Sequence, residues 1–142
     1  MASQLSFTIY LKHLPDDVLT CIYGYIPPIA LCPLNKTLYI NNRYSIRSNI
    51  PVFKYEGYIR QIIRQDNDFV FNHLINDNYL RWQNIKKYKW KEMIFDDYVE
   101  YIMYFAREHR ASKCLTIVFD KKNQEGKKRH KNTRIRSNTW SN

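Results

Sequence analysis

Apolar residues recur at helical spacing along most of this chain. In LPDDVLTCIYGYI, positions 14–26, Val18, Leu19, Ile22, Tyr25 and Ile26 stand at offsets that share one helical face. Pro15 sits where a first helical turn tolerates proline. Asp16 and Asp17 complement the positive end of such a helix, and Pro27-Pro28 stops it. The residues before it, 1–13, are a lead-in, a short strand or helix through Leu5, Phe7, Ile9 and Leu11. After it, residues 33–39 predict another helix, with Leu34, Leu38 and Tyr39 inward. NNRYSIRSNIP, 41–51, is polar and reads as a connector with helical turns.

The helical period returns at Tyr58. Ile59, Ile62 and Ile63 share a face, and Phe69, Val70, His73 and Leu74 share the next. Asp66 and Asp68 are candidate caps for that second helix. Asp96 or Asp97 is the candidate cap for a helix through Tyr98, Val99, Ile102, Met103 and Phe105. Ser112 is the candidate for a last one through Leu115, Val118 and Phe119. The run CLTIVF is β-branched, so a strand stays open there as the alternative. These elements predict an all-α fold, a small helical domain. Its first segment covers 1–50, and a helical domain over 51–119 completes the core. From 120 to 142 apolar content collapses to Ile135 and Trp140, which predicts a disordered tail.

Composition sharpens this picture at three points. Three glycines in 142 residues argue against a turn-rich all-β fold and against glycine-loop nucleotide binding. The net charge of +10 is uneven: residues 1–120 carry a net +3 and residues 121–142 a net +7. Cys21, Cys32 and Cys114 form no close pair, which suggests reduced thiols inside a cell. The N-terminus lacks the basic region of a secretory signal. No stretch approaches the roughly 18 apolar residues of a membrane span, so no membrane association is expected.

The residues of the first helix also carry a resemblance. Leu14-Pro15, Asp17, Val18-Leu19, Ile22, Tyr25-Ile26 and Pro27 resemble the opening of the F-box pattern, over about 13 residues. The second half, Leu31-Cys32-Pro33-Leu34-Asn35-Lys36-Thr37-Leu38-Tyr39, departs from that pattern through its proline and its lack of a tryptophan. The whole chain is similar to the short F-box-like proteins of large nucleocytoplasmic DNA viruses. The carrying stretches are Leu34-Asn35-Lys36, Leu38-Tyr39, Tyr58 to Asp66, Phe69-Val70-Phe71 and Ser112-Lys113-Cys114. The resemblance implies a compact helical fold, viral origin and a place in the host cytoplasm or nucleus. It also implies that residues 1–50 are an F-box-like segment facing a Skp-type adaptor of a cullin ubiquitin ligase. The partner-binding residues would be Leu14, Pro15, Val18, Leu19, Ile22 and Ile26, through an apolar helix face laid in a groove. Periodicity alone allows the same residues to be core.

Two further clusters point to nucleic acid. In the tail, Lys127, Lys128, Arg129, Lys131, Arg134 and Arg136 suit phosphate contacts. They equally suit nuclear import or mere solubility. The stretch from Arg81-Trp82 to Lys86-Lys87-Tyr88-Lys89-Trp90-Lys91 interleaves rings and cations, as a single-strand binder does. It also reads as inward aromatics with solvated lysines. His13, His73, His109 and His130 have no ligand spacing, so neither metal nor cofactor is expected. Cys114 reads as a structural thiol, and no nucleophile or nucleotide motif is present. The expectation is a non-enzymatic interaction protein, an F-box-like adaptor. The alternative is a basic nucleic-acid-binding protein, and a small virion or assembly component is a third reading.

Overall fold

The computed structural model describes the backbone of residues 13–133 and side chains through residue 126. Its element order is α1 (Asp16–Gly24), α2 (Pro28–Leu31), α3 (Lys36–Asn49), α4 (Val52–Arg64) and α5 (Asp68–Asn84). Then follow β1 (Lys86–Trp90), β2 (Met93–Asp97), α6 (Tyr98–Glu108) and α7 (Ser112–Thr133). The chain divides into two compact units, one ending at Tyr55 and the other beginning at Glu56, within α4.

In the first unit, Pro15 stands one residue before α1, in extended conformation, and offers no side-chain cap. α3 starts where Asn35 accepts a hydrogen bond from the Leu38 amide at 2.8 Å. It runs on through the segment read as a connector. Tyr39 and Ile46, two turns apart, bury one side of it, and that contact outweighs the polar composition of the remainder. α2 packs against α3 and contributes Leu31 to the interior.

The second unit holds the larger core. Ile59, Ile62 and Ile63 of α4 are buried, as are Phe71, Leu74, Ile75, Tyr79 and Trp82 of α5. α6 buries Tyr98, Val99, Tyr101, Ile102, Met103, Phe105 and Ala106, seven of its eleven residues. Asp97 caps it by accepting from the Glu100 amide at 3.0 Å. The predicted CLTIVF helix is present in α7, with Cys114 and Val118 fully buried.

The fold is mostly helical but not purely all-α. Residues 86–97 form an antiparallel hairpin, with Tyr88 opposite Phe95 and Trp90 opposite Met93. Alternation explains it: Tyr88, Trp90, Met93 and Phe95 turn toward the core, and Lys89 and Ile94 turn outward. The two-residue turn Lys91-Glu92 contains none of the residues that mark hairpins in a sequence, although Lys91 adopts φ 53°.

α7 also continues past Asp120, where the tail is expected to begin, and remains helical to Thr133. Lys, Gln and Glu are good helix formers, and the first turns after Asp120 are tied down. Lys121 Nζ donates to Asn76 Oδ1 at 2.8 Å, and Lys122 Nζ pairs with Glu100 at 2.5 Å. Residues 134–142 lie outside the described residues.

Candidate functional site

The predicted docking helix α1 is the element with the least packing. None of its residues is buried, and it packs closely on no other described element. Leu14 is 37% exposed and Val18 43%, and Pro15 is exposed as well. Leu19, Ile22 and Ile26 are half-buried. The structure thus brings the six residues onto one short segment and leaves all six accessible in part. Tyr25, just past the helix, is 91% exposed. An isolated helix of fewer than about 12 residues is marginal in water. α1 has nine, and only a half-covered apolar face to hold it.

The Arg81–Lys91 stretch resolves differently. Trp82 is buried and stacks near Tyr98, with centroids 5.5 Å apart. Tyr88 lies 4.8 Å from Tyr98 and 4.7 Å from Tyr101, and Trp90 lies 5.5 Å from Tyr101. Tyr101, fully buried, also meets Phe95 and Phe105, so five rings surround it. Lys86, Lys87, Lys89 and Lys91 are exposed. The rings therefore belong to the core and the lysines to solvent.

One polar group closes this aromatic cluster, and sequence reading did not single it out. Glu56 Oε2 accepts from Tyr88 Oη at 3.0 Å and from Arg60 Nη1 at 3.3 Å. The Arg60 guanidinium sits 4.5 Å above the Trp90 ring, a cation–π contact. Glu56 and Arg60 are one turn apart on α4, a spacing that favours the ion pair, but their tie to Tyr88 and Trp90 requires the hairpin. Tyr98 Oη is buried without a hydrogen-bond partner among the described residues. Tyr101 Oη is buried beside the Arg60 guanidinium, short of hydrogen-bond geometry. Burial foremost, then the hydrogen bond to Glu56, pushes the Tyr88 phenol well above its ordinary range.

Asp66, a candidate cap for α5 by position, does not cap it. Asn67 caps α5, accepting from the Val70 amide at 3.1 Å. Asp66, at φ 46°, turns away and accepts from the amides of Cys114 at 3.0 Å and Lys113 at 3.3 Å, at the start of α7. Burial alone would raise its carboxyl pKa. The two amide donors outweigh burial and leave it below the usual range. Desolvation, reinforced by Asp66, pushes the fully buried Cys114 thiol up to about 12. At neutral pH Cys114 is a protonated core residue.

Among the described residues, no group of three or more His, Cys, Asp or Glu is placed to hold a metal ion. No described helix is long and apolar enough to cross a membrane. Of the tail cations, Lys127, Lys128, Arg129 and Lys131 belong to the helical stretch of α7, while Arg134 and Arg136 lie outside the described residues. Comparison with known proteins returns no match to this chain, whether among family models, curated proteins or solved structures.

Proposed function

We propose that this chain is a non-enzymatic interaction protein whose first helix docks on a partner. The partner proposed is a Skp-type adaptor of a cullin ubiquitin ligase, which makes the chain an F-box-like adaptor. The observation that carries this reading is α1 itself, a nine-residue helix without a single buried side chain. A helix of that length needs its apolar face covered to be stable. A partner's groove supplies the cover, with Leu14, Val18, Leu19, Ile22 and Ile26 as anchors and Pro15 fixing the entry. The resemblance of Leu14 to Pro27 to an F-box opening names the class of groove. On this reading the helical domain is either the target-binding part or the scaffold that holds α1 in place.

The test is a pull-down of the full chain with a purified Skp-type adaptor, beside a Leu19→Asp, Ile22→Asp double variant. Wild-type binding is expected, with a loss of at least about tenfold in the variant, as for central anchor residues. Circular dichroism should show that the variant stays folded, because neither residue is buried. A folded wild type that does not bind sinks the adaptor reading.

A further inference from the structure

Past Val118, no described residue of α7 is buried, yet the helix continues to Thr133. At 1.5 Å per residue that overhang is about 22 Å long. Its root is held by few contacts: the Phe119 ring lies 5.6 Å from the Arg107 guanidinium, Lys121 bonds to Asn76, and Lys122 pairs with Glu100. Beyond this root the sequence has no means of holding a helix by packing. Residues 120–133, DKKNQEGKKRHKNT, contain no apolar side chain. Helices that are polar all round need another source of stability.

Charge adds to the problem. Between Lys121 and Thr133 stand Lys121, Lys122, Lys127, Lys128, Arg129 and Lys131, against Glu125 as the only acid. Cations near a helix C-terminus suit its dipole. They do not suit each other: Lys127 and Lys131 are one turn apart, and like charges at that spacing oppose the helix. Gly126, inside the helix with open space around it, weakens the same stretch further. A polyanion laid along the overhang would remove the repulsion and release its own counterions.

We infer that the C-terminal stretch of α7 is a nucleic-acid-binding helix. It reads the phosphate backbone without base preference, through Lys127, Lys128, Arg129 and Lys131. The hairpin does not compete for this role. Its four lysines share twelve residues with Glu92, Asp96 and Asp97, and Lys86 already stands 3.5 Å from Asp97. Nor does the composition favour a lipid surface, because interfacial helices need an apolar face to enter the headgroup boundary. This inference is independent of the adaptor reading, since it uses neither α1 nor its partner.

The experiment is fluorescence anisotropy of a labelled oligonucleotide, single-stranded and duplex, titrated with the full chain between about 50 and 200 mM salt. Two variants accompany it: K127Q/K128Q/R129Q/K131Q, and K87Q/K89Q/K91Q as a control on the hairpin. Vesicles of phosphatidylserine and phosphatidylcholine form a separate arm. Wild-type binding should weaken with salt and be competed equally by unlabelled DNA of any sequence. Neutralising the four α7 charges should reduce the salt slope by about 3 to 4, and the hairpin variant should bind as wild type. Absent binding at the lowest salt, an unchanged slope in the α7 variant, an equal loss in the hairpin variant, or tighter binding to vesicles than to DNA would each overturn it.

Discussion

α1 and α6 are helices of similar length and similarly amphipathic sequence, yet they end in opposite states. α6 buries seven of its residues, whereas α1 buries none. The difference lies in what covers each face. α6 receives the hairpin, α5 and α7 on its apolar side. α1 has no comparable neighbour among the described elements. A periodic pattern specifies which face wants to leave water. It does not specify whether the covering surface belongs to the same chain.

Matched substitutions put the largest number on that contrast. Ile102 of α6 is fully buried, and Ile22 of α1 is only half-buried. Ile102→Ala should cost about 2–5 kcal/mol. Ile22→Ala should cost less than about 1 kcal/mol, because there is little cavity to leave. Urea denaturation followed by circular dichroism measures both. Equal costs would mean that α1 is core after all.

A smaller effect is expected where the second unit is clamped. Asp66→Ala removes the acceptor for the first amides of α7 and should destabilise by about 0.5–2 kcal/mol, the range of a lost helix cap. The carboxyl is held below its ordinary value in the folded chain. Its contribution is therefore fully present above the unfolded pKa of about 3.9, and it is lost as pH falls through the lower folded value. Thermal melts from neutral pH down to about pH 3 should show wild type and variant converging in acid. A gap that stays constant across that range would show that Asp66 contributes nothing through its charge.

The smallest effect concerns the hairpin that covers α6. Lys91 holds φ 53°, which a side chain disfavours. Lys91→Gly relieves that strain but adds freedom to the unfolded chain. The balance should stabilise by about 0.5 kcal/mol. A variant that melts lower would indicate that the lysine makes a contribution beyond its backbone geometry.

Much of the helical pattern was legible because local sequence and tertiary demand agree. Asp97 caps α6, and Val99, Ile102 and Phe105 form its inner face, as spacing alone predicts. The hairpin is not legible in the sequence because its turn, Lys91-Glu92, lacks glycine and asparagine, and because each strand offers only two inward residues. The alternation of Tyr88 and Trp90 with Lys87, Lys89 and Lys91 was the available signal. It is compatible with inward rings and outward lysines, the arrangement found, and with a nucleic-acid surface, so alternation over so short a run does not by itself imply the strand. Asp66 was a plausible cap for the helix beside it, and only the return of the chain 47 residues later made it the clamp of α7. Val18, Leu19, Ile22 and Ile26 share a face by spacing, but periodicity does not say how exposed that face is.

The sequence by itself determined where most helices start, which of their faces are apolar and that positive charge gathers after residue 120. Those properties depend on neighbours within one or two turns. Only the tertiary structure decided which apolar faces find cover, where Glu56 and Arg60 meet Tyr88 and Trp90, and that Asp66 clamps the start of α7. Each of these depends on residues far apart in the chain arriving at the same place, and the energies of desolvation and hydrogen bonding at those places are set by the whole fold.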